Sequence, residues 1–313
     1  MAKDLYLGLD LGTTGVKAGI FDESGAVLAF ARRETPLETT APGFAEFDAS
    51  AYAGTVFSCV RELVSAAAVE AKAVRAVGLS SQAETFVILD GRGQPLRKAI
   101  SWLDVRAEAE ARELTGLLPR GQEVNAIASA AKLLWLRKHE PETMRRVRRV
   151  LLLPDYLIEL LAGRAASDPC TASSTGAYDP WERCWNRPLL DACGLDAGMM
   201  PEVLDSGQPA GGLMARAAGE LGLAAGALVV VGSNDQLCGA LGAGNVAPGS
   251  ASAALGTALA VIRTSSTAAG LPPGVALLPH PASSAGRRLY GLLAYAKTCG
   301  VVLSWFRDTF APG

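Results

Sequence analysis

Residues 5–21 read Leu5-Tyr6-Leu7-Gly8-Leu9-Asp10-Leu11-Gly12-Thr13-Thr14-Gly15-Val16-Lys17-Ala18-Gly19-Ile20-Phe21. Two apolar stretches flank a turn of glycine and threonine, an order that predicts strand, tight turn and returning strand. A second turn, Asp22-Glu23-Ser24-Gly25, leads into a third strand pattern over residues 26–32. Connections this short leave no room for the crossover that parallel neighbours need, so the three strands are expected to form an antiparallel meander.

The first turn has the makings of chemistry as well as geometry; the alternative is a hairpin that binds no ligand. Its glycines let the backbone approach an anion closely, backbone N–H groups and the Thr13 and Thr14 hydroxyls donate to phosphate oxygens, and Lys17 adds positive charge. Asp10, at the strand end, is placed to hold Mg2+ through water, because this ion prefers few carboxylates plus phosphate oxygens. The spacing is that of a phosphate hairpin and not of a Walker A loop, and no Gly-rich dinucleotide fingerprint with strand context is present. A related turn, Leu255-Gly256-Thr257-Ala258, separates two apolar stretches within 251–262. A nucleotide gripped between two domains needs one hairpin from each, which pairs Gly256 and Thr257 with Thr13 and Thr14.

Beyond the meander, residues 50–73 carry apolar side chains at helical spacing, with Ser50 as the expected cap. Strands are predicted at 74–79, 86–90 and 228–231, helices at 105–114, 129–139, 155–161 and 301–310, and a polar loop at 167–175. Such alternation points to an α/β layered fold. Ser80-Ser81-Gln82-Ala83-Glu84-Thr85 follows a strand, where open α/β sheets bind ligands, and collects amide, carboxylate and hydroxyl groups. Trp102-Leu103-Asp104-Val105-Arg106 adds an aromatic face, a carboxylate and a guanidinium. The mixture suits a polyhydroxylated substrate; the alternative is an Asp104–Arg106 pair that caps the next helix. Asp235, just past the strand at 228–231, is placed to accept a hydroxyl proton, and Gln236 to bond a neighbouring hydroxyl. A helix N-cap is the alternative for Asp235.

At 313 residues the chain has room for two domains of roughly 100–200 residues each. It is 50% hydrophobic but only 6% aromatic, with 34 glycines, so its core must be built mainly from Ala, Leu and Val. No aromatic residue occurs within 186–289, and the density of Gly and Ala there marks a second region starting within 209–244. Twenty-nine basic against 31 acidic residues leave a net charge of −2, which supplies no field for nucleic acid or an anionic membrane. The cluster Arg145, Arg146, Arg148 and Arg149 is expected to be a solvated helix end. Residues 236–262 are uncharged, but glycines, Asn245 and Pro248 break them well short of the ~20 apolar residues of a membrane span. The N-terminus shows no apolar signal core, and a cytoplasmic location is expected. Six cysteines without a C-x-x-C pair and two histidines argue for buried thiols and no zinc site. General-base chemistry then falls to a carboxylate.

These stretches resemble the FGGY family of carbohydrate kinases, with xylulokinase-like members nearest. Leu7-Gly8-Leu9-Asp10-Leu11-Gly12-Thr13-Thr14 is similar to the family's first phosphate motif and Gly78-Leu79-Ser80-Ser81-Gln82 to its sugar-site strand. Trp102-Leu103-Asp104-Val105-Arg106 resembles its W-x-D-x-R. Ser129-Ala130-Ala131-Lys132-Leu133-Leu134-Trp135-Leu136-Arg137-Lys138-His139 resembles the first family signature. Pro154-Asp155-Tyr156-Leu157 and Asp168-Pro169-Cys170-Thr171-Ala172-Ser173 match later landmarks.

The resemblance implies an actin-like, ribonuclease-H-like pair of domains closing over MgATP and a sugar. Asp235 is then the catalytic base and Asp10 the metal residue. Thr13, Thr14, Lys17, Gly256 and Thr257 address phosphates, and Gln82, Ala83, Glu84, Trp102, Asp104, Asp235 and Gln236 face the sugar. Ala83 stands where glycerol kinases carry arginine, and Ile127 where they place a substrate tyrosine. The expected reaction is ATP-dependent phosphorylation of a ketopentose such as xylulose, with glycerol or another polyol as the alternative. Residues 1–244 are expected to form a complete N-terminal sugar-kinase domain and 245–313 part of a C-terminal nucleotide-binding domain. Family members are longer, so the chain is expected to be a fragment or a natural short form that binds nucleotide weakly and is catalytically poor. Uncovered apolar surface is expected to favour self-association or poor solubility, and a homodimer is one such assembly. Two rivals are an ATP-gated, chaperone-like binding protein of the same superfold and a non-catalytic remnant that keeps sugar binding.

Overall fold

Leu5, Leu7, Leu9 and Leu11 alternate along β1 (Leu5–Leu11) and are all buried, as a strand with one face on the core requires. β2 (Gly15–Asp22) and β3 (Val27–Glu34) complete the antiparallel meander, with Asp10 opposite Lys17. The computed structural model describes residues 4–67, 69–119, 122–255, 259–268, 271–272, 274–284, 286–296 and 299–310, without the side chains of 300, 301, 303 and 304. These residues divide into two units, 1–233 and 234–313.

In the first unit the chain passes β4 (Glu46–Phe47) and α1 (Ala49–Ala66) before returning as β5 (Val74–Ser81), parallel to β1. The cap of α1 is Asp48 and not Ser50: its carboxylate accepts from Ser50 N at 2.8 Å and Ala51 N at 2.9 Å. The helix also stops earlier than its apolar spacing suggests, because residues 71–73 form a separate 3-10 turn that feeds β5. β6 (Phe86–Leu89), β7 (Ala99–Ile100) and β8 (Arg149–Leu152) join β4 in a second sheet of order β4-β7-β6-β8. Between β7 and β8 lie α2 (Glu108–Thr115), α3 (Ser129–His139) and α4 (Pro141–Arg146). Arg145 and Arg146 are exposed at the end of α4 and Arg148 just beyond it, as a solvated cluster requires, but Arg149 is half-buried at the start of β8 and pairs with Glu159.

α5 (Leu153–Ala162) ends at Gly163 in the left-handed region, as its sequence predicts. β9 (Ala166–Ser167) then leads to α6 (Pro169–Ser174), which the sequence reading treats as loop. Asp168 caps this helix and Cys170, Thr171 and Ala172 are buried, so tertiary packing overrides the turn-like composition. The hairpin β10 (Tyr178–Asp179) and β11 (Cys184–Trp185), helix α7 (Arg187–Cys193) and β12 (Glu202–Val203) follow. β13 (Pro209–Gly212), α8 (Ala215–Leu221) and β14 (Leu228–Asn234) close the first sheet, in the order β13-β14-β5-β1-β2-β3. Gly232 is obligatory in β14: a Cβ there would fall 1.5 Å from the Leu79 carbonyl oxygen. One apolar core joins this sheet to α1, α5 and α8, and another lies among the second sheet, α2, α3 and α7.

The second unit begins at Asn234, the last residue of β14, and contains α9 (Asp235–Gly242), which the sequence reading groups with the first domain. β15 (Ala251–Leu255), β16 (Leu259–Ser265), β17 (Val275–Pro279) and β18 (Tyr290–Ala296) form an antiparallel sheet of order β15-β16-β18-β17, followed by α10 (Gly300–Phe310). No described helix is long and apolar enough to cross a membrane. Cys59, Cys170 and Cys193 are buried, but Cys184 is exposed and Cys238 and Cys299 are half-buried, so the expected burial holds for only part of the set.

Candidate active site

β1 and β5 run parallel with Asp10 beside Ser80 and Leu11 beside Ser81, which brings the phosphate-like turn next to the polar stretch after β5. Asp10 is tied on both oxygens: Lys17 Nζ lies 2.8 Å from Oδ2, and the Ser80 hydroxyl donates to Oδ1 at 3.2 Å. In the turn itself, Gly12 N donates to Gly15 O at 3.1 Å, and a Cβ on Gly12 would meet that oxygen at 2.7 Å. Only glycine fits such a close approach.

The Thr13 hydroxyl joins the turn to the polar stretch after β5 and to Trp102. It donates to Gln82 Oε1 at 3.3 Å and accepts from the Trp102 indole Nε1 at 2.7 Å. Thr85 closes the ring, because its hydroxyl donates to Gln82 Oε1 at 2.9 Å and accepts from Trp102 N at 3.0 Å. Gln82 is only 3% exposed, and its buried Nε2 makes no hydrogen bond of full geometry among the described residues, with the Tyr52 hydroxyl as its polar neighbour. A buried donor left unmade is costly, so an incoming oxygen acceptor finds a ready partner there.

Glu84 sits beside this ring with φ of 56°, in the left-handed region that a non-glycine residue rarely adopts. Its backbone is clamped: the N–H donates to Ser174 Oγ at 3.2 Å, and the carbonyl accepts from Ser129 Oγ at 2.8 Å. Beneath lies Lys132, fully buried, whose Nζ donates to Ser101 O at 2.8 Å. Burial pushes its ammonium down to about 8, against the opposing pull of Asp104 and Glu84.

Asp104 is not part of the ring. It is fully buried, accepts from Ala45 N at 2.7 Å, and is gripped by Arg106 through Nε at 2.8 Å and Nη2 at 2.6 Å. Arg106 lies over the Phe44 ring at 3.7 Å and also bonds Glu46. The Asp104–Arg106 pair therefore fastens the loop that presents Trp102.

In the second unit Asp235 is exposed in the first turn of α9, and Gln236 is half-buried. The cap of that helix is Asn234, whose Oδ1 accepts from Leu237 N at 2.9 Å, so Asp235 is not spent on capping. Its Oδ1 accepts from Gln236 N at 2.7 Å. Gly256 and Thr257 lie outside the described residues.

The structure thus gathers Asp10, Thr13, Lys17, Gln82 and Trp102, with Thr14 exposed on the turn and Ala83 and Glu84 adjacent. Sequence reasoning passes over Tyr52, whose hydroxyl donates to Gly12 O at 2.9 Å, and Lys132 as a buried charge. A tyrosine at a core position of an amphipathic helix gives no signal of this kind. A lysine inside an apolar helical run does, since an unbroken face of Ala and Leu around a charge predicts a buried, partnered cation.

Residues 5–242 match the model of the FGGY family of carbohydrate kinases, N-terminal domain. The autoinducer-2 kinase of Yersinia enterocolitica is 35% identical over 266 residues, covering 81% of this chain and 50% of that protein. The xylulose kinase of Staphylococcus epidermidis is 29% identical over 314 residues, covering 99% of this chain and 62% of that protein. Among solved structures, a xyloylose kinase from Brucella ovis superposes with a TM-score of 0.89 at 32% identity, covering 97% of this chain and 63% of that one. The chain therefore spans between half and two-thirds of the length of these relatives.

Proposed function

Since the chain belongs to the FGGY family of carbohydrate kinases and carries the actin-like fold of their solved structures, we propose that it transfers the γ-phosphoryl group of ATP to a sugar hydroxyl. The substrate we assign is a ketopentose such as xylulose. One observation carries the reading: the Thr13 hydroxyl is bonded to both Gln82 and Trp102, so a phosphate-type turn and a polyol-facing ring form a single network.

In this reading the Gln82 amide and the Trp102 face orient the sugar, with Glu84 and Gln236 bonding its hydroxyls. Asp235 accepts the proton of the attacking hydroxyl as the oxygen–phosphorus bond forms. The hairpin addresses the phosphates through Thr13, Thr14 and Lys17, and no covalent phosphoenzyme is required. Asp104 acts behind the site, by fixing the Trp102 loop.

Mg2+ fits the residues present. Asp10 offers one half-buried carboxylate next to the Ser80 hydroxyl, and no group of three His, Cys, Asp or Glu side chains surrounds it among the described residues. That donor set suits an ion held mainly by water and phosphate oxygens. Asp10 would hold it, releasing Lys17 toward the phosphates. Bound Mg2+ supplies positive charge against which the transferring group is neutralised.

The test is a panel of ketopentoses, aldoses, autoinducer-2, gluconate and glycerol, each assayed with MgATP and the full chain. A ketopentose should give the highest kcat/KM and glycerol a poor one. Preference for glycerol over every pentulose would reverse the substrate assignment, and no transfer to any of them, even by a version extended with the segment that the longer relatives carry, would remove the kinase reading.

A further inference from the structure

Five consecutive carbonyl oxygens of the hairpin, from residue 11 to residue 15, are each taken by a donor. Gln82 N donates to Leu11 O at 3.0 Å, the Tyr52 hydroxyl to Gly12 O at 2.9 Å, and Thr35 Oγ1 to Thr13 O at 3.4 Å. Thr35 N donates to Thr14 O at 3.2 Å, and Gly12 N to Gly15 O at 3.1 Å. Three separate elements supply the donors from outside the turn: α1 through Tyr52, the end of β3 through Thr35 and the end of β5 through Gln82.

In a planar trans peptide the C=O and the following N–H point in opposite directions. A Gly12 carbonyl held toward Tyr52 therefore turns the Thr13 N–H away from it, and a Thr13 carbonyl held toward Thr35 does the same for the Thr14 N–H. Successive N–H groups aimed one way make an anion-binding concavity. The peptide after Gly12 is the one most in need of such a restraint, because glycine resists rotation least. Tyr52 is suited to supply it: the side chain is 3% exposed, its ring packs on Phe47 at 5.2 Å, and its hydroxyl has been carried into the core. If the Gly12 peptide flipped, its carbonyl oxygen would face the phosphate and repel it.

We propose that Tyr52 and Thr35 are positioning residues of the hairpin, which hold the Gly12 and Thr13 carbonyls inward so that the Thr13 and Thr14 N–H groups meet the phosphoryl oxygens of the nucleotide. This rests on the kinase reading of the same site. It predicts a larger effect on phosphate binding than on sugar binding, because the Tyr52 hydroxyl holds the Gly12 carbonyl directly and meets the sugar side only through the Gln82 side chain.

The experiment is calorimetry of the full chain with magnesium pyrophosphate, MgADP and D-xylulose, on the parent and on Tyr52→Phe, Thr35→Val and Thr35→Ser. Tyr52→Phe keeps the packed ring and loses only the hydroxyl. It should weaken pyrophosphate and MgADP about tenfold, the effect of one lost hydrogen bond, and xylulose by no more than about threefold, through the Gln82 side chain that the same hydroxyl meets. Thr35→Val should act the same way, while Thr35→Ser, which keeps the hydroxyl, restores parental affinity. Equal phosphate affinity in parent and Tyr52→Phe would overturn the proposal and leave the kinase reading standing. Parallel weakening of xylulose and phosphate with a lowered Tm would reduce Tyr52 to a packing residue. A parent that binds neither pyrophosphate nor MgADP would remove the phosphate role of the hairpin itself.

Discussion

The indole Nε1 of Trp102 donates to the hydroxyl of Thr13 at 2.7 Å, across 89 residues of sequence. That bond joins the loop fastened by Asp104 and Arg106 to the phosphate-type turn. Trp102→Phe should keep the aromatic face and lose the link, raising KM for sugar and nucleotide together and lowering kcat/KM about tenfold. A change confined to the sugar KM would show that Trp102 serves only as a surface for the substrate.

Asp235→Asn should abolish turnover while sugar binding survives, because the amide still offers hydrogen bonds but accepts no proton. The expected loss in kcat is on the order of 10²–10⁴. Steady-state rates and xylulose calorimetry on the same preparation separate the two effects. A variant that keeps more than about half the parental rate would take Asp235 out of the mechanism.

Lys132 gives a pH signature. Burial lowers its ammonium from 10.5 to about 8 in the folded protein, so between these values the unfolded chain holds a proton that the folded chain has released. Stability must therefore rise with pH across that window, by an amount on the order of 3 kcal/mol. Lys132→Met removes the titrating group, so the difference in urea unfolding free energy between parent and variant should widen from pH 8 to 10.5 in favour of the parent. A difference that stays constant over the window would mean that the ammonium is not desolvated.

Gly232→Ala should fail to fold or lose roughly 4 kcal/mol or more, since its Cβ would have to occupy the space of the Leu79 carbonyl. Gly239→Ala is the control: nothing lies within 4 Å of a Cβ there, and alanine in the exposed face of α9 should raise Tm slightly. Thermal unfolding of both variants tests the pair, and a Gly232→Ala protein with the parental Tm would contradict the close approach of β14 to β5.

The meander was legible because its information is local. Alternating leucines in β1, two short turns and a third apolar stretch leave only one pairing, and the observed register follows them. Contacts inside a single short stretch were legible for the same reason: glycine, threonine, Lys17 and Asp10 lie within one hairpin, and Asp10 meets Lys17 as a cross-strand pair. Helix ends were less so, because Asp48 competes with Ser50 as a cap and composition alone reads α6 as loop.

What only the tertiary structure decided is how side chains distant in sequence meet. Asp104 stands beside Trp102 in sequence, yet it turns inward to Ala45 and Arg106 while Trp102 turns to Thr13. Tyr52 reaches the hairpin over 40 residues, and Glu84 is held in a strained backbone by serines at the start of α3 and in α6. Periodicity records whether a residue is buried, since burial is set by the face of its own helix or strand. It does not record which partner a buried polar group finds, because that choice is made between elements by packing, and the free energy of an unmade hydrogen bond enforces it only once the fold has formed.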